Sequence, residues 1–571
     1  MTTETWVRPA RAAILPLLLV LAVVWPRMSA AVFLVTPARD TVRYVEAAEA
    51  LRTQPLPAAL RAMDCHPLYP AALLATKSVL SAMFGLEGPY AWVLAGEVVG
   101  IGCYAFFLLT AYALGARLWN RKIAFWGCAM VALLPRQVSY TVDVLTDSLH
   151  AWMWMTCLYF LSNLEGPAPW KRFAFAGICA GLAYWTRSEA LLLPPIALLG
   201  GIVIQCIPQW RITWRSAGLC AAAFGICWAI PVGSYMAAVG KISPRNSAAA
   251  LTGQATIPEP IITPPTKPAT IGDTVIPPPN KAANFASTPT SEDIAATTPP
   301  NLTPRAYVND EAYEVRSLGK AYVAYLYEIG QETRVWMLPF ILWGLLAFRR
   351  ATAWRPAVVY VIFAWCGYSA MLVLLQMKCG YITGRYLMPL MPSLGMLAAI
   401  GIGSFLGYAS RWLASVDRFG RNWNPKTKLA RARFAAIAVV ATIALATSMP
   451  AWLRSNHRHR QAYLEAAAWI NAHTEPGEAV FDPGQLVSFF ADRPNWQPRY
   501  FPKAIPCRYA VVDVERVYRT DPWSHYIIKR FNEGGQVANK FVQPKSKREG
   551  VLYILELPQA VGRNATEGGL R

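Results

Sequence analysis

Apolar side chains along the chain fall into runs separated by short polar or basic segments. Many runs are about 20 residues long, the length that a helix needs to cross the ~30 Å hydrocarbon core of a bilayer. The pattern predicts a polytopic α-helical membrane protein with about eleven transmembrane helices. The predicted spans are 14–35, 89–114, 122–141, 147–163, 173–186, 188–207, 216–238, 335–348, 355–376, 386–409 and 433–452.

Basic residues alternate with these spans. Arg8 and Arg11 precede the first span, and further basic clusters follow the second, fourth, sixth, eighth and tenth spans. Short loops rich in Lys and Arg stay in the cytoplasm. If the N-terminus is cytoplasmic, every basic loop is cytoplasmic too, as this rule requires. The expected location is a bacterial inner or plasma membrane, with the C-terminal domain outside the cytoplasm.

One apolar segment, 67–84, is left out of the count of spans. If it crossed the bilayer, every later basic loop would move to the outer face. Lys77 in the middle of the segment instead favours a helix that lies in the interface or dips into it. This choice brings the polar motifs described below to one side of the membrane.

The regions between and after the spans differ in composition. The scheme gives a transmembrane domain at 1–453, with a first extracytoplasmic loop at 36–88 and a second at 239–334. The second loop is an insert rich in Pro and Thr, a composition that favours extended or disordered chain. Residues 454–571 predict a small soluble α/β domain. Its predicted elements are a helix at 462–472 and strands at 479–482, 509–514 and 551–555.

Composition agrees with a membrane protein. Hydrophobic residues make up 55% of the chain and charged residues 15%, against about 25% charged in soluble domains. The net charge of +21 would suggest nucleic acid in a soluble protein. Here the positive-inside pattern accounts for it, so no nucleic-acid partner is expected. The eleven cysteines show no metal-ligand spacing.

Polar residues at membrane edges are costly unless they are used, so they indicate functional sites. Asp40 follows the first span, with Arg43 one helical turn later. A carboxylate at the bilayer surface beside arginines can act as a general base, or Asp40 can simply cap a helix. His66 lies in HPLYP, where it can help to position a phosphate or carboxylate. The alternative for that motif is an ordinary first helical turn.

Asp143 and Asp147 are spaced four residues apart in TVDVLTDSLH. On a shared helix face, such a pair can bind a divalent cation or position a sugar; alternatively, one residue of this segment caps the fourth span. No metal is assigned to them. Arg187 and Glu189 lie in the tight connection TRSE. They either form a structural ion pair, or Arg187 binds a lipid phosphate.

Arg385 and Tyr386 lie at the outer end of the tenth span. Arg385 is a second phosphate-binding candidate. The alternative is a snorkelling arginine beside an aromatic-belt tyrosine. Each motif alone has an ordinary structural explanation. Their coincidence on one face favours a shared site.

The ordered motifs resemble GT-C glycosyltransferases of the protein O-mannosyltransferase and aminoarabinose-transferase families. The motifs that carry the resemblance are Asp40 with RYVEAAEAL, HPLYP at 66–70, TDSL at 146–149, TRSEALLLP at 186–194 and RYLMPLMP at 385–392. Their order and spacing match over roughly residues 10–400. The C-terminal AAAWINAHTEPGEAVFD is also similar to the soluble tail of bacterial members.

The resemblance implies an inverting hexosyl- or pentosyltransferase. Its partners would be membrane lipids, a polyprenyl-phosphate sugar donor, and an acceptor hydroxyl on a glycan, lipid or protein. By the same resemblance, Asp40 is the base, while Arg385 and Arg187 bind the lipid phosphate. The chain departs from the family at Thr41, where members often carry an acid, and at Pro67, where lipid A-directed members often carry lysine.

Two other classes of protein remain alternatives. A lipid or solute transporter, or a flippase, would also place charges near the membrane. Transporters usually contain two matching halves, and the sequence shows no such internal repeat. The second alternative is a non-catalytic membrane scaffold whose C-terminal domain binds a partner.

Overall fold

The structure is a computed structural model that describes most of the chain. The described ranges are 4–32, 36–38, 40–164, 168–240, 317–351, 356–379, 382–416, 460–496, 507–513, 535–542 and 551–557, with several isolated positions between them. The predicted span 433–452 lies almost wholly outside these ranges, as does most of the Pro/Thr-rich insert.

A helical bundle forms the first part of the molecule. Its helices are α1 (Glu4–Val32), α2 (Asp40–Thr53), α3 (Leu56–Ala62), α4 (Leu68–Phe84), α5 (Gly88–Leu118), α6 (Arg121–Ala132), α7 (Pro135–Val142), α8 (Asp147–Leu161), α9 (Pro169–Tyr184), α10 (Leu193–Cys206), α11 (Trp214–Val239), α12 (Leu318–Ala351), α13 (Pro356–Cys379) and α14 (Met391–Val416). Short 3-10 segments at Ser188–Leu192 and Gly384–Leu390 precede α10 and α14. Among the described residues, six helical segments are long and apolar enough to cross a membrane. The predicted class, a polytopic helical membrane protein, is confirmed.

The predicted span 122–141 is wrong as one continuous helix. The chain breaks between α6 and α7, because Pro135 lacks an amide hydrogen and disfavours helix in the residue before it. Arg27 of α1 is fully buried at this break. Its guanidinium donates to the carbonyl oxygen of Ala132 at 2.9 Å and to Oγ1 of Thr141 at 3.2 Å. Arg27 therefore donates a hydrogen bond to a backbone carbonyl group at the break in the helix.

Helix α12 begins at Leu318, inside the predicted second loop 239–334, and continues through the predicted span 335–348, with a non-helical residue at Arg334. The boundary between loop and span stays a prediction. Polar residues such as Glu328 and Glu332 interrupt the apolar pattern that the prediction relied on. The structure buries Glu332 completely against other polar groups, so the helix extends beyond its apolar part.

The segment left out of the span count forms α4, which pairs with the first half of α5. Lys77 lies 5.4 Å from the ring of Trp92 and 3.8 Å from the carboxylate of Glu87. The two helices are joined at Gly85 and run antiparallel. On α5, Gly96 packs against Val144, only ~12 Å from the first residue of the helix. The α4–α5 turn is thus at the same end of the bundle as Val144, and the interfacial placement of α4 stays a prediction.

The C-terminal part contains α15 (Gln461–His473), α16 (Leu486–Phe490) and a three-stranded antiparallel sheet. The strands β1 (Tyr509–Asp513), β2 (Gln536–Val542) and β3 (Val551–Glu556) have the order β1-β3-β2. Strand β2 was not predicted, because its side chains are half-exposed or exposed and polar residues interrupt its apolar ones. The strand predicted at 479–482 is reduced to isolated bridges at Val480 and Phe481.

The C-terminal part packs onto the end of the bundle where α2 begins. Val42 belongs to the core that α15, α16 and the sheet form. Arg460 donates to the carbonyl oxygen of Pro37 at 2.9 Å, and the rings of Tyr90 and Phe490 are 5.6 Å apart. The C-terminal part and the start of α2 therefore share one end of the molecule.

Candidate functional site

Asp40 is the first residue of α2. Hydrogen bonds from its neighbours to the backbone after α7 hold this position. The amide of Ala38 donates to the carbonyl oxygen of Asp143 at 3.2 Å, and the Thr41 hydroxyl lies 3.4 Å from the same oxygen. The Asp40 side chain keeps 28% of its surface exposed. It is therefore held in place yet accessible to another molecule.

Two arginines flank the Asp40 carboxylate. Nη1 of Arg385 lies 3.4 Å from Oδ2, and Nη1 of Arg43 lies 3.7 Å from Oδ1. Arg43 also pairs with Asp64. Burial lowers the pKa of Arg43, but Asp64 and then Asp40 raise it by more, so the guanidinium stays charged.

Arg187 joins two carboxylates at the start of α8 and α10. Its Nη1 lies 2.6 Å from Oδ1 of Asp147, and its Nη2 lies 2.7 Å from Oε1 of Glu189. Burial lowers the pKa of Arg187, but Glu189 and Asp147 more than reverse this effect, and its pKa lies well above the ordinary value. Arg187 is therefore a largely buried, charged guanidinium that contacts two carboxylates.

Tyr386 connects the two arginine groups. The guanidinium carbon of Arg187 lies 4.7 Å from the centre of its ring, and that of Arg385 lies 5.4 Å away. Both are within the range of cation–π attraction. The structure thus brings Asp40, Arg43, Arg385 and Tyr386 together with the Arg187 cluster, although the sequence separates them by up to 346 positions.

Two predicted site residues have surroundings that differ from the sequence interpretation. His66 is buried between aromatic rings, with ring centres 5.2 Å from Tyr184 and 5.5 Å from Tyr235. Asp143 ends α7, whereas Asp147 begins α8. The expectation that these two carboxylates share a helix face is wrong, because Val144 between them is left-handed, with φ of 56°.

A polar network that the sequence did not reveal lies behind Arg385. Glu332 accepts from Arg136 at 3.1 Å, from Gln137 at 2.9 Å and from Tyr140 at 2.9 Å. Its side chain is fully buried and lies against Gly384, the residue before Arg385. The signal that could have found it is the break at Pro135, which opens a predicted span to polar contacts.

His150 is a second residue that the sequence did not single out. Its ring is 2% exposed, and Nδ1 lies 3.1 Å from the hydroxyl of Thr186. Thr186 in turn precedes Arg187. His150 therefore supports the turn that presents Arg187 to Asp147 and Glu189.

A small apolar cavity of about 30 Å³ lies among α5, α8, α13 and α14. Trp154, Leu158 and Trp365 are among its lining side chains. Pro389, four residues after Arg385, also lines it.

The acidic residues of the site contact arginine side chains. Within the described ranges, no group of three or more His, Cys, Asp and Glu side chains is arranged to hold a metal ion. Asp147 and Glu189 both face Arg187 instead.

Comparison with known proteins gives one family and one fold. Residues 79–235 match the sequence profile of the family described as Dolichyl-phosphate-mannose-protein mannosyltransferase. No curated protein sequence matches the chain.

Three similar solved structures are informative. ArnT from Cupriavidus metallidurans bound to undecaprenyl phosphate has 13% identity and a TM-score of 0.53, covering 97% of this chain and 98% of its own. The apo state of that ArnT has 14% identity and a TM-score of 0.52, covering 91% and 94%. The oligosaccharyltransferase AglB from Archaeoglobus fulgidus, in complex with an inhibitory peptide and a dolichol-phosphate, has 10% identity and a TM-score of 0.50, covering 90% and 70%.

The likeness extends over nearly the whole chain for ArnT. At these identities it shows a shared fold, the GT-C fold of membrane glycosyltransferases. The family match and the fold together support the GT-C superfamily membership that the ordered motifs predict.

Proposed function

We propose that this protein is an inverting glycosyltransferase that moves a sugar from a polyprenyl-phosphate donor to an acceptor hydroxyl. The mannosyltransferase profile and the ArnT-like fold support a transferase that works with lipid carriers. The observation that carries the proposal is the contact between Asp40 and Arg385, which places a partly exposed carboxylate beside a phosphate-binding guanidinium.

Arg385 is the better placed of the two proposed phosphate ligands. Among the described residues, its one carboxylate contact within 4 Å is the 3.4 Å approach to Asp40, and its Nε has no partner there. Arg187 is already engaged by Asp147 and Glu189. We therefore assign the first contact with phosphate to Arg385, and to Arg187 a supporting charge that also fixes Tyr386.

A lipid phosphate needs cationic groups at its head and an apolar surface along its tail. Arg385 supplies the cationic group. The apolar cavity lined by Pro389 offers apolar side chains nearby, but at about 30 Å³ it is too small to enclose an isoprenoid chain.

The chemical step follows from this placement. The acceptor oxygen attacks the anomeric carbon, the bond from that carbon to the phosphate oxygen breaks, and the electron pair leaves with the lipid phosphate. Asp40 takes the proton of the acceptor hydroxyl, and Arg385 stabilises the charge that develops on the phosphate. Attack opposite the leaving group inverts the anomeric centre. Once phosphate occupies Arg385, its pairing with Asp40 weakens and the carboxylate becomes free to accept the proton.

We place this reaction on the extracytoplasmic face of a bacterial inner membrane. The division into a transmembrane domain at 1–453 and an extracytoplasmic domain at 454–571 belongs to the same proposal. Supporting it, the C-terminal part contacts Pro37 and Val42 beside Asp40, so both are at one end of the bundle. His66 and Asp143 would act by shaping the pocket, since both are buried next to it.

The direct test is the replacement Asp40→Asn in membranes supplied with a labelled polyprenyl-phosphate sugar. Loss of a general base lowers rates by roughly 10²- to 10⁴-fold. Glu49→Gln is the matched control, because Glu49 is on the same helix and pairs only with Arg52 there. Full transfer by Asp40→Asn would overturn the assignment of the base.

A further inference from the structure

A second cleft lies at the junction of the bundle and the C-terminal part. It has a volume of about 320 Å³ and is separate from the Asp40 site. The end of α1, the loop that follows it, the α4–α5 turn and Phe490 form its walls. Its polar lining includes Thr36, Glu87 and Glu97.

Glu97 is the notable residue of this cleft. It is a partly buried carboxylate on α5, and it makes no hydrogen bond or ion pair with the part of the chain that the structure describes. Glu87, in contrast, is paired with Lys77 and is 80% exposed. The hydroxyl of Thr36, a residue only 1% exposed, also has no partner within the described ranges. A cation next to Glu97 would stabilise the charged form of its carboxyl group, which partial burial disfavours.

The depth of Glu97 matches the headgroup layer of a bilayer. Glu97 and Leu118 are separated by ~31 Å along α5, at ~1.5 Å per residue, and the hydrocarbon core is ~30 Å thick. If the far end of α5 lies at one boundary of the core, Glu97 lies at the other. Met28, Leu94 and Val98 are exposed apolar side chains on α1 and α5, and Leu94 also lines the cleft.

Aromatic rings complete the cleft at its outer rim. The ring centres of Tyr90 and Phe490 are 5.6 Å apart. An aromatic face attracts a cation that lies within about 6 Å. The cleft therefore offers a carboxylate, a hydroxyl and aromatic faces, next to a lipid-facing apolar surface.

We infer that this cleft binds the ammonium headgroup of an aminophospholipid such as phosphatidylethanolamine. The ammonium group donates hydrogen bonds to Glu97 and Thr36, and the acyl chains lie along the outward faces of α1 and α5. A neutral sugar hydroxyl would leave the carboxylate charge uncompensated. Because Phe490 belongs to α16, the bound lipid also bridges the bundle and the C-terminal part. This inference is independent of the proposed transferase activity.

The test is native mass spectrometry of the full-length protein, with equal amounts of phosphatidylethanolamine and phosphatidylglycerol. The wild type is expected to retain about ten times more phosphatidylethanolamine than phosphatidylglycerol. One charge-assisted hydrogen bond predicts a difference of this size. Glu97→Gln should abolish the preference, whereas the control Glu49→Gln, which removes a carboxylate that pairs with Arg52 outside the cleft, should keep it. Leu94→Trp, which fills the cleft without touching the charge, should lower retention of phosphatidylethanolamine as well.

The readout does not depend on transferase activity, so it separates this inference from the proposed function. Thermal melting of each variant identifies any that fail to fold. Equal retention of both lipids by the wild type would overturn the inference, as would an unchanged preference in a folded Glu97→Gln variant. Identification of a saccharide as the ligand that co-purifies at this cleft would overturn it too.

Discussion

The carboxylate of Glu332 lies directly against the α-carbon of Gly384. A β-carbon added at Gly384 would overlap Oε1 of Glu332, a group that three side chains hold in place. The close approach links a buried polar network to the segment that carries Arg385 and Tyr386. The position of Arg385 beside Asp40 therefore depends on the absence of a side chain one residue earlier.

Gly384→Ala is expected to displace the segment Gly384–Leu390 and to lower sugar transfer. Overpacking a tight contact costs typically 1–3 kcal/mol, which corresponds to about a 5- to 150-fold loss if it falls on the active geometry. The measurement is the initial rate of transfer from labelled polyprenyl-phosphate sugar. Gly403→Ala is the matched control, since a β-carbon there meets nothing within 4 Å. Equal rates for both variants would contradict the coupling.

Glu332 and Arg136 are expected to be energetically coupled. Replacing Glu332 with Gln removes the charge that faces Arg136, and Arg136→Gln removes its partner. The coupling expected for contacting polar residues is about 0.5–3 kcal/mol, although Arg136 is 39% exposed and solvent screens part of it. Thermal unfolding of the two single variants and the double variant measures this coupling.

A surface ion pair provides the comparison for that cycle. Arg52 and Glu49 lie 2.6 Å apart on α2 and are both partly exposed. Their coupling should be within ~0–1 kcal/mol. Strictly additive effects at Glu332 and Arg136 would show that the network does not stabilise the fold as argued.

The sequence alone predicted the members of the site better than their contacts. Asp40, Arg187 and Arg385 were found because each is a charge at the edge of an apolar run. The ion pair between Arg187 and Glu189 was one of the two predicted alternatives, and the structure contains it. The contact of Arg187 with Asp147 could not be foreseen, since it depends on how α8 packs against the segment that precedes α10. The contacts of Glu332 join residues 192 to 196 positions apart.

The apolar pattern located helices but not their interruptions. It placed α5 and α11 within a few residues, because these helices are apolar on all sides. It missed the break at Pro135, where Arg27 supplies the missing polar contacts. The interfacial assignment of 67–84 came from charge rather than hydropathy, and the antiparallel packing of α4 on α5 is consistent with it.

The orientation of the chain is open to a labelling test. Single cysteines at Glu49 and Glu475 should react with a membrane-impermeant maleimide in intact cells, because the proposal places both outside. A cysteine at Lys122, on the opposite end of α5, should react only after permeabilisation. Lys122 and Glu475 are exposed, and Glu49 is partly exposed. The background is a variant that lacks the exposed Cys206 and Cys366.

This labelling result would also decide where the Asp40 site lies. Labelling of Glu49→Cys only after permeabilisation would place α2 in the cytoplasm and would refute the extracytoplasmic reaction. Opposite results at Glu49 and Glu475 would be incompatible with the contact between Arg460 and Pro37.

Arg385→Lys and Arg187→Lys are expected to have different consequences. Lysine keeps the charge but lacks the planar fork that binds two partners. At Arg385 the change should raise the KM for the lipid donor about tenfold, as the loss of one charge-assisted hydrogen bond predicts, with little change in thermal stability. At Arg187 it should lower the melting temperature, because Asp147 and Glu189 are 5% and 17% exposed and lose their shared partner. Donor-dependent kinetics and thermal melting, measured on both variants, separate binding from folding. If Arg187→Lys instead melts like the wild type and raises the donor KM as much as Arg385→Lys does, then both arginines contact the phosphate and the division of roles is wrong.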